Sequence, residues 1–215
     1  MFTGNFVIKS ECGLASASSK MEGSIISLYV YPMGDNRNYV FAFTASSDTR
    51  TLRDYLSIDF ITYRLFKGKN FTFVQGIKKG HGIMNSIFHS DGIPIFPIIA
   101  HGGTERFEFV TYDMASVESV FENVENTSKL QFSDYDHQSG DDLFNTITRK
   151  QSALYLTSLT NIERRILQKA YRSGYFLWPR MYNLGLLVKD FNLAKPTILY
   201  HLRNAERKIL KAMVG

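Results

Sequence analysis

Residues 193–210 read "LAKPTILYHLRNAERKIL", and the way this stretch folds decides the C-terminal part of the chain. Ile198, Leu202, Ala205 and Ile209 recur at spacings of 4, 3 and 4, the interval that brings side chains onto one face of an α-helix. Pro196, Tyr200, Arg203 and Arg207 repeat that spacing two residues out of step, which turns them roughly 160–200° about the helix axis. One side is a buried stripe and the other is polar and cationic. Pro196 falls in the first turn, where a missing amide donor costs little. Just upstream, Asn192 tolerates positive φ and can close a preceding helix.

Moving outward, "SLTNIERRILQKAYRSGYF" (158–176) opens with Thr160-x-x-Glu163. This spacing is a capping box, in which hydroxyl and carboxylate each satisfy the other residue's backbone amide. Ile162, Ile166, Leu167 and Ala170 follow at helical spacing, and Gly174 supplies the stop. An aromatic connection, "YFLWPR", contains Pro179, which prevents the helix from continuing. A short helix from about Asn183 to Phe191 then turns Leu184, Leu187, Val188 and Phe191 inward. A short helix, a tight turn and a second helix with an exposed basic face make a helix-turn-helix, whose second helix can enter the major groove of DNA.

From Asn161 to Gly215 there are 11 Lys+Arg against 3 Asp+Glu, whereas residues 1–160 hold 14 against 17. The formal +5 of the chain is thus concentrated in its last quarter, as for a segment that meets a polyanion.

These residues resemble the helix-turn-helix domain of the archaeal bacterio-opsin activator family. Its members carry an "LT…" helix ending in "GYF-x-WPR", a helix of the "L-x-x-LA-x-x-LG" kind, and "S-x-ST-x-x-x-HLR-x-AE-x-K-L". Gly174, Tyr175, Phe176, Trp178, Pro179 and Arg180 fall on that pattern, as do Thr197, His201, Leu202, Arg203, Ala205, Glu206, Lys208 and Leu210. The likeness runs from Leu159 to Met213. Val188, Asn192, Ala194 and Pro196 depart from it, replacing Ala, Gly, Ser and Ser/Thr. The resemblance implies a DNA-binding transcription regulator that needs no cofactor. Lys195, Pro196, Thr197 and Tyr200 occupy the groove-facing half of the recognition helix, about 194–211, while Arg203, Asn204 and Arg207 are placed to hold phosphates. Arg180 and Trp178 are candidates for the DNA backbone, with Trp178 read first as core of the connection. His201 reads equally as a half-buried helix contact or a phosphate ligand. Glu206 is expected to pair with Arg203 or a basic residue of the first helix.

The first 135 residues are β-branched and aromatic runs broken by Gly, Asn and Asp. "SIISLYVYP" and "YVFAFTA" read as strands. Two stretches run strand, helix, strand: residues 39–66 and 106–132. At an offset of 66 they pair Phe41 with Phe107, Phe43 with Phe109 and Tyr55 with Phe121, and Asp48 and Asp113 precede the two helices. The chain is therefore expected to be α+β. An N-terminal β-rich α+β sandwich of ferredoxin-like or similar type, with two β-α-β units (1–137), leads through a linker helix (138–158) to an all-α helix-turn-helix domain (159–215). The linker, "SGDDLFNTITRKQSALYL", is capped by Asp141 or Asp142, and its apolar side of Leu143, Phe144, Ile147, Gln151, Leu154 and Tyr155 suits a second subunit. A homodimer is expected, since one short helix reads only a few base pairs, with a small molecule or protein as effector of the N-terminal domain.

His81, His89 and His101 with Asp91 match no standard ligand spacing, so no metal is expected. No nucleophile–base pair or carboxylate pair has spacing that argues catalysis. Cys12, the single cysteine, excludes an intramolecular disulfide and reads as a partly buried small residue or an oxidant-sensing thiol. No apolar run approaches the ~18 residues of a membrane span, and the start lacks a signal-peptide layout, so a cytoplasmic location is expected. Two other classes fit the same sequence. A small-molecule enzyme with an accessory basic domain would show a buried pocket of convergent polar groups in residues 1–135. A protein-interaction adaptor would use a drifted helix-turn-helix.

Overall fold

A computed structural model describes residues 1–80, 82–152 and 159–214. The chain divides into two compact units, Met1–Thr148 and Arg149–Gly215. In the first, nine strands form one antiparallel sheet: β1 (Phe2–Lys9), β2 (Ile25–Pro32), β3 (Arg37–Thr44), β4 (Phe60–Lys67), β5 (Thr72–Lys79), β6 (Ile93–Pro94), β7 (Ile98–His101), β8 (Thr104–Thr111) and β9 (Lys129–His137). The order is β4-β5-β3-β2-β7-β8-β1-β9, with the short β6 on β8.

Both expected strand–helix–strand units are present. β3 leads through α2 (Thr49–Leu56) to β4, and β8 through α4 (Met114–Thr127) to β9. The two strands of each unit are not neighbours. β5 lies antiparallel between β3 and β4, and β1 lies antiparallel between β8 and β9. The strand that completes the first unit comes after it in the chain, and the strand that completes the second comes from the N-terminus. The two halves, β4-β5-β3-β2 and β9-β1-β8-β7, meet where β2 pairs β7 through Ile25 and Ala100.

Both unit helices begin at an aspartate: Asp48 accepts from the Thr51 amide at 3.0 Å and Asp113 from the Ser116 amide at 2.8 Å. These bonds hold both carboxyls below their ordinary values. The aromatic offset is different. Phe107 and Phe109 belong to the core under the helices, where Phe109 lies over Gly4 so closely that a Cβ there would fall 2.2 Å from its ring. On the opposite face Phe41 instead stacks on Phe73 and Phe43 meets it at a tilt, both with ring centroids 5.8 Å away. Because strand side chains alternate, a slip of one residue inverts the face. The units correspond as elements: the offset of 66 pairs the strand residues Phe41 with Phe107 and Phe43 with Phe109 on opposite faces, while the helix residues Tyr55 and Phe121 both pack against the core.

The core joins alternate strand residues such as Phe6, Ile8, Val40, Ala42, Val74 and Phe107 to Leu14 of α1 (Gly13–Ser18), Leu52 and Leu56 of α2, Ile87 of α3 (Ile83–His89) and Val117, Val120 and Val124 of α4. The helices thus pack on one face of the sheet. Helix α5 (Gly140–Ser152) follows β9. Its cap is Ser139, not Asp141 or Asp142: the Ser139 hydroxyl accepts from the Asp142 amide at 3.2 Å and donates to its carboxylate at 2.6 Å. A serine oxygen on a short side chain reaches the third helical amide better than a residue already inside the helix. Phe144 on this helix is exposed; Leu154 and Tyr155 lie outside the described residues.

The second unit contains α6 (Asn161–Arg172), α7 (Leu184–Phe191) and α8 (Lys195–Val214). Ile166, Ala170, Tyr175, Leu187, Ile198 and Leu202 form its core, with Ile162, Leu167, Leu184, Val188 and Phe191 around them. The capping box is closed: Thr160 Oγ1 accepts from the Glu163 amide at 3.3 Å, and Glu163 accepts from the Thr160 amide at 2.8 Å. At the other end of α6, Gly174 adopts φ +80°. The Tyr175 amide reaches Ala170 O and the Gly174 amide reaches Tyr171 O, the paired bonds of a Schellman stop. Asn192, at φ +50°, closes α7 as expected.

Among the described residues no helix is long and apolar enough to cross a membrane.

Candidate nucleic-acid interface

The second helix of the pair, α8, is held from two sides. Ile198, Leu202 and Ala205 are fully buried, while Ile209 is half-buried towards the helix end. The outward stripe of Pro196, Tyr200, Arg203 and Arg207 is exposed throughout, Tyr200 at 65%. Between the two lies a third stripe of Thr197, His201, Asn204 and Lys208, each half-buried. Lys208 shows what that flank meets: its Nζ donates to Glu163 at 2.6 Å, which ties the far end of α8 to the start of α6. Thr197, His201 and Asn204 therefore lie along the edge of α8 that turns towards α6, less open than the Tyr200 stripe. His201 sits edge-on to Tyr200, ring centroids 5.5 Å apart. Lys195 is exposed at the first turn, after Ala194, whose carbonyl accepts from the Ile198 amide at 3.0 Å.

Charge in this unit is sorted. Its three acidic residues are all engaged. Glu163 binds Lys208; Asp190 binds Lys169 at 3.2 Å and accepts from Tyr182 at 2.5 Å; Glu206 binds Arg203 at 2.8 Å, as expected. Burial opposes ionisation of Glu163, but hydrogen bonds from Lys208 and Thr160 outweigh it and hold its carboxyl below the ordinary value. The Tyr182 hydroxyl and Lys169 do the same for Asp190, and Asp190 in turn raises the Tyr182 phenol. The cationic excess is left on exposed Arg172, Arg180, Lys189, Lys195, Arg207 and Lys211.

Arg180 lies exposed with its guanidinium 4.8 Å from the centre of the Tyr175 ring. Trp178 corrects the expectation that it fills the connection between the helices: it is 95% exposed. Tyr175 takes the core place, and amides of Leu177 and Met181 fold back onto Gly174 O, turning Phe176, Leu177 and Trp178 outward. Two residues escaped the sequence reading. Lys208 was placed only by its match to a pattern, although a lysine at the edge of a buried stripe and an acid in the first turn of another helix are complementary. Leu199, 39% exposed beside Tyr200, is an apolar residue on a polar side of α8.

In the first unit, Cys12 is fully buried, and its thiol is pushed up to about 11, first by burial and then by Glu105. That makes it a poor nucleophile. His89 and His101 are exposed, His101 opposite Ser24 at 3.3 Å; His81 lies outside the described residues. Among the described residues no three His, Cys, Asp or Glu side chains group as metal ligands.

With this geometry, the class of the second unit is clear: residues 159–211 match the family model described as an HTH DNA binding domain. That match covers the stretch whose motifs resemble the bacterio-opsin activator type of helix-turn-helix. Over 55 residues the chain is 36% identical to a protein of the archaeon Haloferax volcanii provisionally named a transcriptional regulator. That segment is 26% of this chain and 10% of the relative, so the likeness spans about a tenth of the relative's length. No solved structure matches the chain.

Proposed function

We propose that the protein is a DNA-binding transcription regulator that lays the outward stripe of α8 in the major groove of duplex DNA. Residues 159–215 form the reading domain, 138–158 a linker helix, and 1–137 a sensing domain of two ferredoxin-like halves that exchange a strand. Two copies act together, because the exposed length of one short helix covers only a few base pairs.

The observation that carries the reading is the arrangement on α8. An apolar stripe is spent on the core while Pro196, Tyr200, Arg203 and Arg207 stay open, and the segment's acids are each matched to a cation. Lys195 and Tyr200 are placed for base edges, with Leu199 beside them for a thymine methyl. Arg203, Arg207 and Arg180 are placed for phosphates. Thr197, His201 and Asn204 lie at the flank, where they would meet one groove wall. Selection of duplexes from a randomised pool by the full chain tests the proposal. Enrichment of a short motif, repeated as two half-sites, is expected; a pool that stays random after several rounds would sink it.

A further inference from the structure

The helices of the first unit pack on one face of the sheet, and the opposite face carries the exposed rings of Tyr29, Tyr31, Phe66 and Phe132. One row of paired residues crosses this face from edge to edge. It begins with Phe66 on β4, Phe73 on β5, Phe43 on β3 and Ile26 on β2. From Ile26 it passes to Ile99 on β7, then to Arg106 on β8, Val7 on β1 and Phe132 on β9. The edge strands β4 and β9 run in opposite directions. Arg64, two residues before Phe66, and Asp134, two residues after Phe132, therefore lie on the same side of that row and on the same face.

The two halves of the face are unlike. The half built of β4, β5, β3 and β2 is aromatic and bears exposed Arg64 at its edge. On the other half β1 shows only Thr3, Asn5 and Val7, and the edge strand β9 bears exposed Asp134 and Asp136. Among the described residues neither Arg64 nor Asp134 is in an ion pair. A two-fold axis running along the strands between β2 and β7 lays each half of one copy over the other half of a second. Phe66 then meets Phe132, Phe73 meets Val7, Phe43 meets Arg106 and Arg64 meets Asp134, every contact twice. Large rings fall on a short side chain or under a guanidinium, and opposite charges meet at both edges. An axis at right angles to the strands would instead lay the aromatic half on itself and keep Arg64 and Asp134 at opposite edges.

We propose that this open face joins two copies of the chain, sheet against sheet, with their strands within about 30° of one another. The face is eight strands wide and offers about 1,000 Å² per copy at sheet spacings, enough for the roughly 800 Å² per partner of a stable interface. An exposed apolar patch of this extent marks an interaction site. A lipid surface fits it less well, since Asp134 and Asp136 would repel anionic headgroups. This inference rests on the reading that two copies act together and names the surface that joins them.

The test measures dimerisation of the full chain by sedimentation over a concentration series. Arg64→Asp and Asp134→Arg each bring like charges together twice, and each should weaken the dimer at least about tenfold. The chain carrying both exchanges should recover the wild-type dissociation constant to within about threefold. A chain that stays monomeric at every concentration, or a dimer that neither single exchange weakens, would overturn the interface. So would single losses that the double exchange does not recover. Both positions are exposed, and an unchanged melting transition checks that each variant folds. If one does not, cross-linking decides. Phe66→Cys and Phe132→Cys chains, mixed and treated with a bis-maleimide sized to the gap of about 10 Å between packed sheets, should link to each other and not to themselves. Self-linking of either chain, or no linking, would overturn the arrangement; Cys12 is buried. Duplex affinity is measured in parallel. A monomer that still binds duplex DNA refutes the interface and leaves the regulator reading standing. A sheet-joined dimer that binds no duplex keeps the interface and refutes the regulator.

Discussion

Lys208 and Lys78 are both lysines held by a carboxylate, but one sits at the rim of its unit and the other at the centre. Lys208 keeps a third of its side chain in water and clips α8 to α6 through Glu163, while Lys78 and Asp59 are nearly inaccessible. The reading unit buries hydrocarbon and leaves its surplus cations outside. The sheet unit buries charge among hydrocarbon, with Lys78 facing Asp59 and Glu105. A rim pair orients an element cheaply; a central pair is expensive to keep.

That contrast can be broken at several strengths. The largest effect is expected from Lys78→Met. It removes the buried cation that Asp59 and Glu105 face, and the first unit should lose about 3–5 kcal/mol in denaturant titration. A loss under 1 kcal/mol would mean that the cluster is better hydrated than its burial implies. Core truncation gives the apolar scale for comparison: Leu187→Ala, which opens the centre of the helical unit, should cost about 2–5 kcal/mol, with the helical unit melting first by near-equilibrium calorimetry. Lys208→Met should cost the helical unit about 1.5–3 kcal/mol, the usual range for a hydrogen bond to a charged group.

The same pair sets a pH dependence. Because folding lowers the Glu163 carboxyl, its contribution is fully present above the ordinary glutamate value and is lost as pH falls through the folded value. Acid melting curves of the wild type should therefore fall across that window, and those of Glu163→Gln should start lower and fall less. Parallel curves would show that the Lys208 bond does not persist in solution. The smallest effect belongs to the most exposed pair. Glu206→Gln should change stability by less than about 1 kcal/mol yet release Arg203, so DNA affinity should rise modestly in a fluorescence titration.

Legibility follows the reach of the interactions. Thr160, Gly174 and Asn192 act within a few residues, so the sequence placed the ends of α6 and α7 where they are found. The 4-3-4 spacing likewise placed Ile198, Leu202 and Ala205 in the core. What escaped was long-range. Nothing local says that β5 inserts between β3 and β4, or that β1 returns from the N-terminus to split β8 from β9. The offset of 66 aligned aromatics by type, but the facing of a strand depends on register with neighbours, which put Phe41 and Phe107 on opposite sides. Lys78, in "IKKG", reads as a solvated strand end; only the strand order brings it beneath the helices beside Asp59. Trp178 failed for a related reason, since Tyr175 three residues earlier already filled the core.

The central claim is that the outward stripe of α8 meets a polyanion, and a salt series of duplex binding tests it most directly. The wild type should lose affinity linearly with log salt concentration, about 0.9 in slope per phosphate contacted. Arg203→Glu with Arg207→Glu should bind at least about a hundredfold more weakly while melting as the wild type does. Salt-independent binding, or a folded double variant with wild-type affinity and slope, would contradict the account.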